Sequence, residues 1–124
     1  MTAAKLIEVT LAMAWSPGMA PGEEPARIVF RIAIDGQGQP DAAAWLADPD
    51  PWPARYEAPG KPPLGGDVTH DEDGWSLRFF AESTAPPDAP MHRIRHLGMP
   101  RPGEVLTIRE PSGAEAAWRV VGIG

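Results

Sequence analysis

The sequence predicts a mainly β fold, a small antiparallel barrel or sandwich of about six strands with one short helix. Apolar side chains recur at every second position in several short segments, which is the period of a β-strand. These segments are separated by turn-forming residues, since the 124-residue chain contains 16 prolines and 13 glycines. The length is typical of one domain, so we expect residues 1–124 to form a single β domain.

The first two predicted strands lie near the N-terminus. Every second residue from Ile7 to Trp15 is apolar, and the alternation recurs from Ile28 to Ile34. This pattern places Trp15 on the buried face. The two strands are expected to pair antiparallel, because segments adjacent in sequence are usually adjacent in space. Residues 16 to 26 between them predict a surface loop or, alternatively, a binding loop with Met19 at its tip.

The middle of the chain contains the one predicted helix. Residues 40 to 47 begin with Pro-Asp, which suits a helix start, and continue with three alanines. Such a short helix must contact the core through Trp45 or Leu46 to persist. Residues 49 to 66 contain six prolines and predict an extended or polyproline-like segment.

The second half of the chain predicts the remaining strands. Residues 66 to 70 indicate a short strand and residues 75 to 81 a longer one, separated by an acidic turn. Residues 91 to 97 favour a strand over a helix, because glycine and two prolines follow closely. Residues 102 to 123 predict a hairpin, with the turn at 110 to 114.

Composition limits the classes of function. Eleven basic against seventeen acidic residues give a net charge of −6, which argues against a nucleic-acid partner. The chain has no cysteine, so disulfides and thiolate chemistry are excluded. No apolar run approaches the roughly 20 residues of a membrane span. We therefore expect no membrane partner and a cytoplasmic location.

The three histidines are candidate metal ligands. His92 and His96 share one face of the predicted strand, and His70 precedes an acidic turn that contains Asp71 and Asp73. If these segments meet in the fold, the imidazoles and carboxylates could bind a divalent metal with coordination positions left open. The simpler interpretation is that the histidines face solvent or form hydrogen bonds. No other cofactor is expected, because no glycine-containing segment has a nucleotide-binding pattern.

The same region predicts a basic binding cluster. Arg93, Arg95 and Arg101 lie beside His92 and His96 in the sequence. Guanidinium groups bind phosphates, carboxylates and acidic partners. The alternative is that these arginines form ion pairs within the protein.

Tryptophan supplies a further candidate contact. Of the five tryptophans, Trp15, Trp75 and Trp118 fall on strand faces that are predicted to be buried. Trp52 lies in the proline-rich segment and is expected to be exposed. Exposed tryptophans often dominate the energy of protein interfaces.

These observations lead to two hypotheses of function. The first is a non-enzymatic binding or assembly module that contacts a protein partner, or a second copy of itself, through proline-rich loops and sheet edges. Its binding residues would be Trp52, His92, Arg93, Arg95, His96 and Arg101. The alternative is a small-ligand- or metal-dependent enzyme or sensor that uses the three histidines and the acidic turn. No nucleophile motif supports a particular catalytic reaction.

Overall fold

The computed structural model describes residues 4–19 and 24–124. Within these ranges the chain forms eight strands and one helix. The elements in chain order are β1 (Lys5–Trp15), β2 (Arg27–Ile34), α1 (Ala42–Ala47), β3 (Pro53–Glu57), β4 (Leu64–Asp71), β5 (Gly74–Phe79), β6 (Met91–Arg95), β7 (Val105–Arg109) and β8 (Glu115–Ile123). Residues 20–23 of the predicted binding loop lie outside the described residues.

The strands form one closed antiparallel barrel. Each strand pairs with the next in sequence, and β8 pairs with β1 to close the sheet. The prediction of a mainly β, antiparallel fold with one short helix is confirmed, and of the two expected architectures, barrel or sandwich, the structure has the barrel. The expected number of about six strands is wrong, since the barrel contains eight.

The proline-rich segment contains a strand that the sequence analysis missed. β3 pairs with β2 on one side and with β4 on the other. Proline is tolerated at the first position of a strand, which is where Pro53 lies. Because the next four residues contain no proline, they can donate to both neighbouring strands. The many prolines in residues 49–66 made this short strand difficult to recognise from the sequence.

The barrel interior is filled by side chains from alternate positions. An eight-stranded barrel is just wide enough for its own side chains to fill it. The largest fully buried apolar residues are Phe30, Leu11, Ile28, Ile32, Leu77, Ile108, Val9, Val68 and Val120. The alternation that predicted the strands therefore also identified the core.

Trp15 is an exception to this alternation. The pairing of β1 with β8 changes register between Met13 and Trp15, which is a β-bulge. Met13 pairs with the inward-facing Trp118, but Trp15 pairs with the outward-facing Ala117. The side chain of Trp15 is consequently 59% exposed, and the expectation that it is buried is wrong.

The helix α1 lies at one end of the barrel, between β2 and β3. Asp41 caps its first turn by accepting a hydrogen bond from the backbone N–H of Ala44 at 3.0 Å. Trp45 packs against the core, and its indole N–H donates to the carbonyl oxygen of Val68 at 2.9 Å. Leu46 instead points to solvent and is 80% exposed. We call the end of the barrel that carries α1 the helix end. We call the opposite end, where the turn between β7 and β8 lies, the hairpin end.

Closure of the barrel bears on the sheet-edge hypothesis. Every one of the eight described strands is hydrogen-bonded to a neighbour on both sides. A closed barrel has no unpaired edge onto which a partner could add a strand. The expectation of binding through sheet edges is therefore wrong for the described strands.

Candidate functional site

A groove runs along the outside of the barrel over β4 and β5. The part beside the connection after β5 has a cavity volume of about 890 Å³, and the part beside α1 has about 290 Å³. Pro51, Asp67 and Arg78 line both parts, so the surface is continuous. We call it the outer groove; it is lined by residues of the segments 45–53, 65–69 and 78–87.

An ion pair forms the floor of the outer groove. Asp67 and Arg78 are opposite each other in the pairing of β4 with β5. The guanidinium Nε and Nη2 atoms donate to the two carboxylate oxygens at 2.8 and 2.7 Å. This two-bond geometry is the strongest form of a carboxylate–arginine contact. The hydrogen bonds to Asp67 raise the pKa of Arg78 above its ordinary value, so the guanidinium keeps its charge.

The walls of the outer groove are stiffened by proline. Pro49, Pro51 and Pro53 lie on one side, and Pro86 and Pro87 lie on the other. Proline fixes its backbone φ angle and has no N–H donor. Apart from Pro53, which begins β3, these prolines therefore restrict segments that lie outside the backbone ladder of a strand.

β4 and β5 approach closely under the groove at Gly66. A Cβ atom at this position would lie 1.7 Å from the carbonyl oxygen of Arg78. Nothing lies within 4 Å of the corresponding Cβ position of Gly65. Gly66 therefore permits the close approach of β4 to β5, whereas the absence of a side chain at Gly65 leaves open space at the surface.

The outer groove is acidic. Its lining residues include four carboxylates, Asp48, Asp50, Asp67 and Glu82, and one cation, Arg78. Because Arg78 is paired with Asp67, three carboxylates remain without a cation in the lining. Asp50 and Glu82 are exposed and lie towards opposite ends of the groove.

Asp48 is fixed by local hydrogen bonds. Its carboxylate accepts from the backbone N–H of Asp50 and from the indole N–H of Trp52, each at 2.9 Å. These two contacts, the backbone one first, hold the pKa of Asp48 below its ordinary value. The carboxylate therefore stays charged at the mouth of the groove beside α1.

Trp52 lies behind the groove wall and not on its surface. Its side chain is 2% exposed, and its ring stacks on that of Trp75 at a centroid distance of 6.0 Å. The expectation that Trp52 is the exposed tryptophan is wrong. The two flanking prolines lie outside, but the strand that begins at Pro53 directs Trp52 inward against the core.

The predicted basic cluster is divided by the barrel wall. Arg93 lies on the outer surface and bonds to Asp71 at 3.1 and 3.2 Å. Arg95 is also outside and bonds to Glu115 at 2.7 Å. His92 faces inward, because successive strand residues point to opposite faces. The cluster is therefore not one continuous surface, and its two strand arginines form internal ion pairs.

The other two members of that cluster follow β6. His96 is exposed and has a backbone φ of 54°, a left-handed conformation that ends the strand. It consequently does not share the strand face of His92. Arg101 is exposed in the connection between β6 and β7.

The three histidines and the carboxylates of the acidic turn do not come together as a set of metal ligands. His70 points inward at the helix end, with its ring 4.6 Å from that of Trp75. Asp71 is paired with Arg93, and Asp73 donates its backbone N–H to the carboxylate of Asp71 at 2.8 Å. No group of three His, Asp or Glu side chains in residues 4–19 and 24–124 is arranged to hold a metal ion.

Two titratable side chains contact one phenylalanine at the hairpin end of the barrel. The ring of Phe79 lies 5.5 Å from that of Tyr56 and 5.1 Å from that of His92, between centroids. Burial raises the pKa of Tyr56, and the charge of Glu110 adds to this. Burial lowers the pKa of His92, which the charge of Glu110 partly opposes. At neutral pH His92 is thus an uncharged imidazole, and its Nδ1 atom is buried without a hydrogen-bond partner.

The main features of the outer groove escaped the sequence analysis. The sequence pattern places Asp67 in the short predicted strand at 66–70 and Arg78 in the predicted strand at 75–81, without pairing the two side chains. Their opposite charges and the tight turn between β4 and β5 are the signal that could have paired them. Nothing local in the sequence indicates that Leu46, Asp50 and Glu82 line one surface, since that depends on how the connections fold back over the barrel.

Comparison with protein-family models, with curated proteins and with solved structures gives no match to this chain. In the described part of the chain, no helix combines the length and the apolar character that a membrane crossing requires.

Proposed function

We propose that this protein is a non-enzymatic binding module that holds an extended segment of a protein partner in the outer groove. The observation that carries the proposal is the groove itself. It is continuous along β4 and β5, and together its two parts have a volume large enough for several side chains.

The stiffness of the groove walls favours binding. Association loses free energy whenever loops and side chains must be ordered. The prolines on both walls limit this loss, because the segments that they stiffen are already restricted in the unbound protein. The Asp67–Arg78 pair likewise keeps the floor in one arrangement before a partner arrives.

The lining of the groove defines the chemistry of the partner. Asp48, Asp50 and Glu82 offer carboxylates to a basic segment, and the exposed Leu46 offers an apolar contact at one end. The same carboxylates repel the phosphates of a nucleic acid. The groove therefore suits a polypeptide that carries both lysine or arginine and apolar side chains.

Closure of the barrel determines how such a segment would be held. Many modules bind an extended peptide by adding it to a sheet edge, with main-chain hydrogen bonds supplying affinity. The closed barrel offers no such edge among its described strands. Recognition in the outer groove would instead depend on side-chain contacts and on charge.

The proposal is tested by reversing charge inside the groove. The double variant Asp50→Lys/Glu82→Lys changes two exposed lining residues. Captured proteins are identified by affinity purification from the source lysate, and their affinity is then measured with purified material by calorimetry. We expect the double variant to weaken partner binding at least roughly tenfold, because two attractive contacts become repulsive.

The matched control is Glu72→Lys/Asp73→Lys, which makes the same change of charge in the exposed turn at the helix end. This control should retain partner binding within about twofold. Equal loss of binding in both variants would show that only net charge matters. Unchanged binding in the groove variant would show that the outer groove does not bind the partner.

A further inference from the structure

A second exposed surface has the opposite character from the outer groove. Arg27, Ala12 and Arg119 follow one another across β2, β1 and β8, as their pairing register shows. Cross-strand partners share a face of the sheet, and Ala12 points outward between inward-facing neighbours. Trp15 and Ala117 form the adjacent outward pair. We call these five residues the β1–β8 face.

The two arginines of this face, Arg27 and Arg119, form no ion pair with the residues that the structure describes. Glu24 and Glu57 line a pocket together with Arg27, but neither is within ion-pair distance of it, and Glu57 is paired with Arg55 at 2.8 Å. Both Arg27 and Arg119 are exposed.

The apolar part of the face is dominated by Trp15. Its side chain is 59% exposed, and its neighbours Ala12 and Ala117 are small. Tryptophan and arginine are the residues most enriched where interface energy is concentrated. The bulge turns Trp15 outward and so makes it available for binding, as bulges that redirect a side chain often do.

The β1–β8 face and the outer groove lie on opposite sides of the molecule. The eight strands close in sequence order, so β4 and β5 are half-way around the barrel from β8 and β1. One side therefore presents two arginines and a tryptophan, and the other presents three carboxylates between proline walls.

We propose that the extended segment held in the outer groove is the outward side of β1 in a second copy of this chain, flanked by Arg27 of β2 and Arg119 of β8 on the β1–β8 face. This inference rests on the function proposed above and names the partner for the same groove. Arg27 and Arg119 of one copy meet the groove carboxylates of the next, while Trp15 packs on the proline walls. The two surfaces complement each other in charge and in apolar contact, and neither complements itself.

Such an interface is heterologous, because each copy uses a different surface towards each neighbour. Two surfaces on opposite sides of one molecule generate an open chain of copies, whereas a self-complementary surface stops at a dimer. Association should also weaken with added salt, since its charges are exposed and the screening length is only about 10 Å at 0.1 M.

Mixing two complementary variants tests this arrangement. The face variant is Trp15→Ala/Arg119→Glu, and the groove variant is Asp50→Lys/Glu82→Lys. All four positions are exposed, so both variants should fold, which circular dichroism and thermal melting verify. Multi-angle light scattering then gives the mass of each protein alone, of the wild type, and of the equimolar mixture.

For the wild type we expect a mass that rises continuously with concentration and falls with salt. Each variant alone should remain at the chain mass of 13.3 kDa. The mixture should form a species of twice that mass, because the intact face of one variant can enter the intact groove of the other. A wild type that stays monomeric, or that stops at a symmetric dimer, overturns the inference.

These results separate the inference from the function on which it rests. Suppose that the wild type is monomeric but binds another protein, and that the groove variant no longer binds that protein. This result overturns self-association and leaves the proposed function standing. A monomeric wild type whose groove variant binds every captured protein unchanged overturns both.

Discussion

Asp67 and Arg78 face each other across β4 and β5 and share two hydrogen bonds, of 2.8 and 2.7 Å. Their side chains are only 11% and 21% exposed. The pair is therefore largely buried, and a charge that lost its partner there would be poorly solvated. It also neutralises the one cation among the lining residues of the outer groove.

Arg78→Leu should destabilise the protein by about 2 kcal/mol, because it leaves the carboxylate of Asp67 buried and unpaired. Urea unfolding at pH 7 measures the change. The control is Arg55→Leu, which removes an exposed arginine whose pair with Glu57 is 59% and 41% accessible. Exposed pairs contribute roughly 0–1 kcal/mol. If both variants lose the same free energy of unfolding, the Asp67–Arg78 pair is not a structural contact.

Gly66→Ala should be far more damaging than Gly65→Ala. The new methyl group at Gly66 would overlap the backbone of Arg78, so β4 and β5 must separate. Overpacking of this kind typically costs about 1–3 kcal/mol, and a backbone clash lies at the upper end. At Gly65 the new methyl group would lie in open space, so Gly65→Ala should change the free energy of unfolding by about 0.5 kcal/mol or less.

Thermal and urea unfolding of both glycine variants provide the comparison. A Gly66→Ala protein as stable as Gly65→Ala would mean that β4 and β5 are further apart than the groove floor requires. Because the two substitutions are chemically identical and adjacent, differences in strand propensity cannot account for a gap between them.

Trp15→Ala and Trp118→Ala should differ strongly in their loss of stability, although the two tryptophans belong to neighbouring cross-strand pairs of β1 and β8. Trp118 is 2% exposed, and removing a buried tryptophan typically costs about 3–5 kcal/mol. Trp15 is 59% exposed, and its variant should lose about 1 kcal/mol or less. Urea unfolding followed by circular dichroism measures both. A large loss at Trp15 would place it in the core and contradict the bulge.

These two tryptophans also illustrate how far the sequence determines the fold. Strict alternation identified the inward face of β1 up to Met13 and of β8 as far as Val120, because each strand has one dry side. A bulge inserts one residue and exchanges the faces beyond it. Nothing in the local composition around Trp15 indicates the bulge, which arises from how β1 meets β8 across the closure of the barrel.

The candidate site was less accessible to sequence analysis than the fold, for a related reason. Residue types along one strand reveal which face is dry, but the outer groove combines three segments that are distant in sequence. Trp52 shows the same limit, since flanking prolines suggested an exposed loop and the start of a short strand buried it. Conversely, the pairing of Arg93 with Asp71 agrees with the predicted alternative that these arginines form ion pairs within the protein, since charges of opposite sign lie in neighbouring segments.

The stability of the protein should fall as the pH decreases below 6.5, owing to His92. Burial holds the pKa of this imidazole below its ordinary value, so the unfolded chain binds a proton more readily than the folded one. When the unfolded state binds more protons, the free energy of unfolding rises with pH. The contribution of neutral His92 is fully present above pH 6.5 and is lost as the pH falls towards the folded-state pKa.

Urea unfolding of the wild type and of His92→Gln at about pH 7.5 and about pH 5.5, on either side of the ordinary histidine pKa, measures this contribution. Asp48, Asp71 and Glu115 have lowered pKa values, so they titrate below this window in both proteins. The charge of Glu110 favours protonated His92, but it is the smaller of the two effects on the imidazole. The glutamine side chain of the variant does not titrate, so the variant should lose less stability than the wild type between the two pH values. An equal loss in both proteins would mean that the His92 imidazole is solvated in the folded state, and would contradict its inward position beside Phe79.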